Sequence, residues 1–263
     1  MITNPTIVTA LFDIGRDKWD NYEISYNTYM VWMKNILYFD TNMVIYTEEK
    51  FKNFIIEQRK VVDPNLEKTI IKIDVLENLN SYKLFYHETK TLMESDEFKS
   101  RLHFNVPEMT KPLYNIIIFN KLYFIKKSID DKDFNSDMFI WCDAGVLRNF
   151  DAKIKKGFPN IKKINNGFSD KITFFSHQEN FTIDDKPFHL VSQFRYIHGG
   201  CILVPNNEKI NKLIFVFNNF IRENLKKGYV GSEEKYLDFC YLENKDEYNI
   251  IKSDWRQYFD IFG

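Results

Sequence analysis

Residues Met138–Arg148 read M-F-I-W-C-D-A-G-V-L-R, and this stretch decides the expected fold. Five apolar residues end at Cys142 and are followed by one carboxylate, Asp143, and then by the small pair Ala144 and Gly145. A continuous apolar run of this length is typical of a strand buried on both faces, in a parallel or mixed sheet covered by helices. Asp143 would then lie at the carboxyl end of the strand, where open α/β sheets bind ligands. The alternative is that Asp143 opens a turn.

The composition indicates a folded protein with a sizeable core. The chain of 263 residues is 44% hydrophobic and 17% aromatic, which argues against disorder. Its 36 basic and 37 acidic residues leave a net charge of -1, so we expect no nucleic-acid partner. The widely spaced Cys142, Cys201 and Cys240 fit buried reduced thiols. With no signal peptide and no apolar run near the roughly 20 residues of a membrane span, we expect a cytoplasmic protein.

Strand and helix patterns alternate in the first part of the chain. Apolar runs predict strands at 6–12, 42–46 and 69–75, and helical spacing predicts helices at 26–38 and 48–59. The order β-α-β-α-β is the signature of a parallel α/β sheet, and no linker divides the chain, so one domain is expected. The aromatic residues of the first helix are expected to pack in the core.

A second candidate ligand contact follows the first strand. Asp13, Gly15 and Arg16 place a carboxylate, a glycine and a cation directly after apolar residues. A guanidinium beside a slim backbone suits a nucleotide base, ribose or phosphate. A solvated turn with an Asp–Arg pair explains the same residues equally well.

Residues 113–129 show helical spacing, and Lys121 falls on or beside the apolar face of that helix. A lysine in this position either extends its ammonium to the surface or points into a site that requires a cation. Asp131 and Asp133 then spell an acidic-x-acidic metal motif, but no strand precedes them. We interpret that run as a solvated loop.

Two further candidate segments lie in the second half of the chain. A strand-like run at 194–205 is interrupted by His198 and Gly199–Gly200, which indicates a bend that either faces a ligand or makes room for packing. Further on, Ser232 is a plausible helix cap, with Glu233 in the first helical turn.

The order of these segments resembles the HtrL/YibB family over nearly the whole chain, from residue 6 to 259. The matching segments are T-A-L-F-D-I-G-R at 9–16, W-C-D-A-G-V at 141–146, H-G-G at 198–200 and G-S-E-E at 231–234. That family looks like GT-A-fold glycosyltransferases. The resemblance therefore implies an α/β, Rossmann-like mixed sheet flanked by helices, in a single domain at 1–263 with a nucleotide-binding half (1–148) and an acceptor-binding half (149–263).

The resemblance also implies roles for single residues of the nucleotide pocket. Asp13, Gly15 and Arg16 would line it, and Lys121 would approach the ribose or diphosphate. The expected ligand is a nucleoside diphosphate sugar, with a UDP-sugar as the first candidate.

At the acidic metal-binding motif the chain departs from the family pattern. Many GT-A enzymes have two carboxylates where this chain has Asp143 and Gly145. Asp143 would be the metal ligand, and Mn²⁺ or Mg²⁺ would need diphosphate oxygens, water and a distant side chain besides. A metal-independent site, in which Arg16 and Lys121 neutralise the diphosphate, is the alternative.

The implied activity is hexosyl transfer to a hydroxyl of a glycan or glycoprotein, as in polysaccharide biosynthesis. His198 and Gly199–Gly200 would form the wall against which sugar and acceptor pack, and His198 is a candidate catalytic residue. Glu233, the other catalytic candidate, would help the acceptor hydroxyl lose its proton. Two other functions stay open: a sugar-phosphate nucleotidyltransferase, and a nucleotide-sugar-binding protein that has lost its chemistry.

Overall fold

The computed structural model describes residues 4–148, 158–167, 170–254 and 259, and the strands in these ranges form one seven-stranded mixed sheet. The strands are β1 (Pro5–Leu11), β2 (Asn42–Thr47), β3 (Thr69–Ile73), β4 (Met138–Cys142), β5 (Ile172–Ser176), β6 (Ile197–Pro205) and β7 (Tyr248–Lys252). The connection after Arg148 lies mostly outside the described residues.

The sheet has the order β3-β2-β1-β4-β6-β5-β7. Its paired strands are parallel except where β6 pairs, because β6 runs antiparallel to both β4 and β5. The chain builds β2 and β3 on one side of β1 and then places β4 on the other side. A topological switch point therefore lies between the carboxyl ends of β1 and β4, where open α/β sheets bind ligands.

Helices cover both faces of the sheet. One hydrophobic cluster joins the sheet to α3 to α7 and α9 to α11, and a second cluster joins it to α1, α2 and α8. The helices are α1 (Tyr26–Leu37), α2 (Glu49–Arg59), α3 (Asn80–Glu94), α4 (Asp96–Ser100), α5 (Pro107–Thr110), α6 (Pro112–Phe119), α7 (Lys121–Asp130), α8 (Ile161–Gly167), α9 (Lys186–Val191), α10 (Lys209–Lys226) and α11 (Glu233–Glu243). None of the helices in the described ranges is long and apolar enough to span a membrane.

The apolar run Met138–Cys142 forms β4 and is buried along its whole length. Alternate side chains enter the two clusters: Phe139 and Trp141 pack on one face, and Ile140 and Cys142 pack on the other. Burial on both faces explains why the run has no polar alternation. The predicted α/β class, with a mixed sheet flanked by helices, is confirmed.

The single helix predicted at 113–129 is wrong, because the chain breaks at Asn120 into α6 and α7. The side-chain oxygen of Asn120 accepts hydrogen bonds from the backbone N–H of Ser81 (3.1 Å) and from its hydroxyl (3.0 Å). This buried amide holds the junction against α3 and makes Lys121 the first residue of α7.

Two local features, a helix cap and a loop, differ from their sequence predictions. Ser232 stands at the N-cap of α11, but its hydroxyl makes no capping bond and is buried without a partner among the described residues. Asp131 and Asp133 are tied to β3 by ion pairs with Lys72 at 2.6 and 2.5 Å, so this loop is less solvated than expected. All three cysteines are free and buried, as predicted.

Candidate functional site

A cavity of about 150 Å³ opens at the switch point between β1 and β4. Its wall comes from the loops after those two strands and from α1, α6 and α7. The charged side chains of the wall are three cations and one carboxylate: Arg16, Lys121, Arg148 and Asp143. Aromatic rings cover much of the rest: Phe12, Tyr26, Tyr29, Tyr114 and Trp141.

Asp13 shapes the loop after β1 and does not line the cavity. Its carboxylate accepts the backbone N–H of Gly15 (2.8 Å) and pairs with Lys50 of α2. Gly15 has φ of 73°, a left-handed conformation that suits glycine. Partial burial acts to raise the pKa of Asp13, but hydrogen bonds from Lys50, Tyr26 and Gly15 outweigh it and lower the pKa. The loop is therefore held in one shape by a fixed carboxylate.

Arg16 reaches the cavity from this loop within a group of aromatic rings. Its guanidinium carbon lies 5.3 to 5.8 Å from the ring centroids of Trp19, Tyr29 and Tyr114. Its hydrogen bonds go to the carbonyl of Tyr22 (3.1 Å) and to the hydroxyl of Tyr29. These partners are neutral, so the positive charge of Arg16 is not cancelled by the groups that hold it.

Lys121 approaches the cavity from the opposite side, at the start of α7. Its ammonium lies 2.8 Å from Oδ1 of Asp143 and 3.1 Å from the carbonyl oxygen of Gly199, and it pairs with Glu233. The side chain is only 4% exposed. The ammonium therefore points inward and does not extend to the surface.

The pKa values around this ammonium follow from burial and charge. Burial acts to lower the pKa of Lys121, but Asp143 and Glu233 outweigh it and raise the pKa, so the lysine stays charged. Burial raises the pKa of Glu233 to about 7, helped by Glu234 and Asp143 and opposed by Lys121. Glu233 is 5% exposed and stands behind Lys121, outside the described wall of the cavity.

Asp143 lies directly after β4 with 38% of its side chain exposed. Oδ1 accepts a hydrogen bond from the indole N–H of Trp141 (2.6 Å), and the backbone N–H donates to the carbonyl of Gly200 (3.0 Å). It is the one carboxylate in the described wall, and Gly145 lines the wall beside it. Strand β4 thus delivers Asp143 to the rim, as the sequence predicted.

The glycines of β6 adjoin this cluster at an irregularity of the sheet. Phe174 of β5 pairs with Ile202, but the next residue, Phe175, pairs with His198. Residues 199–201 therefore bulge away from β5. An ideal Cβ on Gly199 would overlap Oε1 of Glu233, so only glycine fits here. The backbone N–H of Gly199 donates to Glu234 (2.9 Å).

His198 does not join the other predicted residues. Its ring nitrogen Nε2 lies 3.2 Å from the carbonyl of Ser253, and its ring packs against that of His177 with centroids 4.1 Å apart. Burial lowers the pKa of His198 to about 4, and His177 contributes to this shift. The buried imidazole is neutral at pH 7 and lies outside the described wall of the cavity.

The residues of the cluster do not fit a resident divalent ion. No group of three His, Cys, Asp or Glu side chains able to hold a metal occurs in the described ranges. Both oxygens of Asp143 already lie within 3.1 Å of the Lys121 ammonium, and Oδ1 also accepts the indole N–H of Trp141. The metal on Asp143 stays a prediction.

Several residues of the site were not found from the sequence. Tyr29 was expected in the core, yet it lines the cavity with Tyr26, three positions earlier on the same helix. That spacing beside a strand end was a usable signal. Tyr114, Arg148 and Glu234 gave no comparable signal, because their places depend on contacts far along the chain.

The chain is similar to several known proteins. Protein HtrL of Escherichia coli (strain K12) is 21% identical over 281 residues, which cover 100% of this chain and 92% of that protein. The galactosyltransferase LgtC, solved with donor and acceptor sugar analogs, has a TM-score of 0.48 and 8% identity, with coverage of 93% of this chain and 72% of that one. Core-mannan synthase A (CmsA/Ktr4) from Aspergillus fumigatus, solved in a Mn/GDP form, has a TM-score of 0.49 and 8% identity, with coverage of 95% and 73%.

A further similar structure is 4-diphosphocytidyl-2C-methyl-D-erythritol synthase from Anaerococcus prevotii, with a TM-score of 0.39 and 8% identity and with coverage of 96% and 90%. At these identities and TM-scores the likeness assigns no activity to this chain. The sequence model of the family HtrL_YibB, described as a bacterial protein of unknown function, matches residues 3–263. The chain therefore belongs to the HtrL_YibB family.

Proposed function

We propose that the protein is a glycosyltransferase that moves a sugar from a nucleoside diphosphate sugar, with a UDP-sugar as the first candidate, to a hydroxyl of a glycan or glycoprotein. The observation that carries this proposal is the cavity at the switch point, where three cations, one carboxylate and several aromatic rings form one wall. The cations would bind the negative charge of a diphosphate, and the aromatic faces would pack against a base or a sugar ring.

In the proposed complex the diphosphate binds Arg16, and the positive charge of Lys121 lies on the opposite side of the cavity. Arg16 is held by carbonyl, hydroxyl and ring contacts, so its charge is available to phosphate oxygens. Asp143, at the rim, accepts hydrogen bonds from ribose or sugar hydroxyls. Gly145 has no side chain beside Asp143, and a Cβ there would lie 3.2 Å from the ring of Trp32.

Transfer breaks the bond between the anomeric carbon and the diphosphate, whose oxygen keeps the electron pair. The acceptor oxygen forms the new bond to that carbon and loses its proton to a basic group. Fixed cations stabilise the charge that develops on the departing diphosphate, because they need no reorganisation during the reaction.

Glu233 as the proton acceptor stays a prediction. A pKa of about 7 suits that role, but the carboxylate is buried against Lys121. The variant Glu233→Gln keeps an oxygen near Lys121 and removes the basic group. Undiminished transfer by this variant would refute the assignment, and His198→Gln tests the other predicted catalytic residue in the same assay.

The acceptor is proposed to bind in the second half of the chain. A groove lies beside the cluster around Gly199, and its wall includes the exposed Phe194 together with Glu108, His177 and Arg195. Nε of Arg195 lies 3.0 Å from Oε2 of Glu234. Glu234 in turn accepts a hydrogen bond from the backbone N–H of Gly199. An exposed ring among polar groups suits a sugar surface.

Nucleotide binding is the first experiment. Calorimetry with UDP-, GDP- and CMP-linked sugars and with nucleoside triphosphates should show binding of one diphospho-sugar class. Arg16→Ala should weaken it by at least about tenfold, equal to about 1.4 kcal/mol. Arg222→Ala is the matched control, since Arg222 lies far from the cavity against the ring of Phe85.

The three functions give different outcomes in that experiment. Binding of a diphospho-sugar followed by its transfer or hydrolysis supports the glycosyltransferase. Binding without turnover of any sugar donor supports a non-catalytic binding protein. Binding of triphosphates alone contradicts the proposal and supports the nucleotidyltransferase.

A further inference from the structure

The ammonium of Lys121 stands in a small cage of oxygen atoms beside the cavity. We propose that this ammonium fills the place in which a divalent ion would be held at Asp143, so that the site carries its own cation and binds its ligand without a metal. The inference rests on the proposed function only for the identity of that ligand, a nucleoside diphosphate.

The contacts of the ammonium account for all its donors. A lysine ammonium has three N–H groups. Its three neighbours are Asp143 (2.8 Å), the carbonyl of Gly199 (3.1 Å) and the carboxylate of Glu233. Two carboxylates and one backbone carbonyl are also the oxygen ligands that hard divalent cations prefer. The cage is therefore a cation site, and the chain itself supplies the cation.

The bulge in β6 is what makes the carbonyl of Gly199 available. In a regular strand between β4 and β5, the backbone groups bond to the neighbouring strands. Residues 199–201 have no partner in β5, because pairing passes from Ile202 directly to His198. The N–H of Gly199 goes to Glu234 and its carbonyl to Lys121. The irregular backbone thus provides one of the oxygen atoms around the Lys121 ammonium.

Electrostatics oppose a second cation at the same carboxylate. The ammonium is 4% exposed and lies between the carboxylates of Asp143 and Glu233. A divalent ion on Asp143 would lie within a few ångströms of that charge, where poor screening makes repulsion strong. Removing the lysine, in contrast, would leave two carboxylates without a cation, which is strongly unfavourable.

This contrast gives a direct test with Mn²⁺ alone, read by the loss of the electron paramagnetic resonance signal of free Mn²⁺. The wild-type protein should bind no Mn²⁺ that depends on Asp143. Lys121→Ala empties the cage and should bind Mn²⁺ at least tenfold more tightly than the wild type does, and Lys121→Ala with Asp143→Asn should lose that gain. Lys121→Met, which fills the space without charge, is the matched control and should bind less than Lys121→Ala.

Two results would overturn the inference: Mn²⁺ binding by the wild type that Asp143→Asn abolishes, or equal Mn²⁺ affinity of the wild type and a folded Lys121→Ala. If Lys121→Ala fails to fold, the comparison of Mn²⁺ binding by the wild type and by Asp143→Asn still tests the inference. A second arm measures UDP and GDP binding to the wild type with EDTA and with Mn²⁺, and equal affinities are expected. Absence of any nucleotide binding would contradict the proposed function but leave the Mn²⁺ result standing.

Discussion

Gly199 contributes only backbone atoms, yet it connects three parts of the site. Its carbonyl accepts from Lys121, its N–H donates to Glu234, and the space where a Cβ would lie is filled by Glu233. A hydrogen atom in place of a side chain is therefore a packing requirement here, and φ plays no part in it.

The first prediction is that Gly199→Ala destabilises the protein by about 1–3 kcal/mol, the usual effect of overpacking. The added methyl group would lie 3.0 Å from Cδ of Glu233 and would push that carboxylate off Lys121. Urea unfolding measures the change. Gly145→Ala is the control and should have a smaller effect, since its Cβ would meet the rings of Trp32 at 3.2 Å and Tyr29 at 3.7 Å and no atom closer than that.

His198 gives a prediction on pH. Its pKa is lowered by burial and by His177, while Asp254 and the bond to the Ser253 carbonyl act to raise it. A lowered pKa means that the unfolded chain binds the proton more readily. The stability that the neutral His198 imidazole contributes is therefore fully present above pH 6.5 and is lost as the pH falls through about 4.

The free energy of unfolding of the wild type should thus fall by roughly 2 kcal/mol more between pH 7 and 4 than that of His198→Gln. Urea titrations at several pH values measure it, with the exposed His87→Gln as control. Parallel curves for wild type and His198→Gln would contradict a neutral buried imidazole.

Among the elements, the junction of α6 and α7 bears directly on the site, because α7 begins there with Lys121. Asn120 fixes that junction through its bonds to Ser81. Asn120→Ala leaves the buried N–H of Ser81 without its acceptor, so a loss of about 1–3 kcal/mol is expected.

The same variant should also weaken nucleoside diphosphate binding, since the ammonium of Lys121 would move. Ser128→Ala removes a buried bond to Tyr46 from the same helix and is the control for stability alone. Equal nucleotide affinity in both variants, measured by calorimetry, would show that the junction does not position the lysine.

The elements were predicted better than their contacts. Apolar runs identified β1 and β4, because strands buried on both faces have no solvent-exposed positions, and the switch point then brought Arg16 and Asp143 to one rim. The pair of Lys121 with Glu233 joins residues 112 positions apart. It depends on the reversed direction of β6, which local spacing does not encode.

Asp13 shows a second reason why contacts were predicted less well than elements. Its position after β1 was predicted correctly, but the side chain turns to Lys50 and leaves the cavity to its neighbours. A strand end fixes where a residue lies, whereas packing against the next helix decides which way its side chain points.

At the scale of the whole molecule, the cavity wall has more positive than negative side chains, although the chain as a whole has a net charge of -1. Positive charge concentrated in a cleft attracts anionic ligands despite a balanced surface. The proposed preference for a diphosphate therefore rests on the arrangement of charge and not on its total.

A nucleoside diphosphate should accordingly stabilise the fold, by about 2.7 kcal/mol at a concentration one hundred times its Kd. Because the contacts are ionic, the affinity should fall as salt rises. Thermal unfolding and calorimetry with UDP measure both effects. Uridine is the control ligand, and a uridine affinity equal to that of UDP would exclude the cations as the main contact.

The bulge in β6 has a consequence for how the cation cage could be lost. One of the three groups that supply its oxygens belongs to the main chain, and every amino acid brings that carbonyl with it. A substitution therefore removes an oxygen of the cage directly at Asp143 or Glu233, whereas an insertion or deletion within 199–201 would turn the carbonyl away and leave both acids in place.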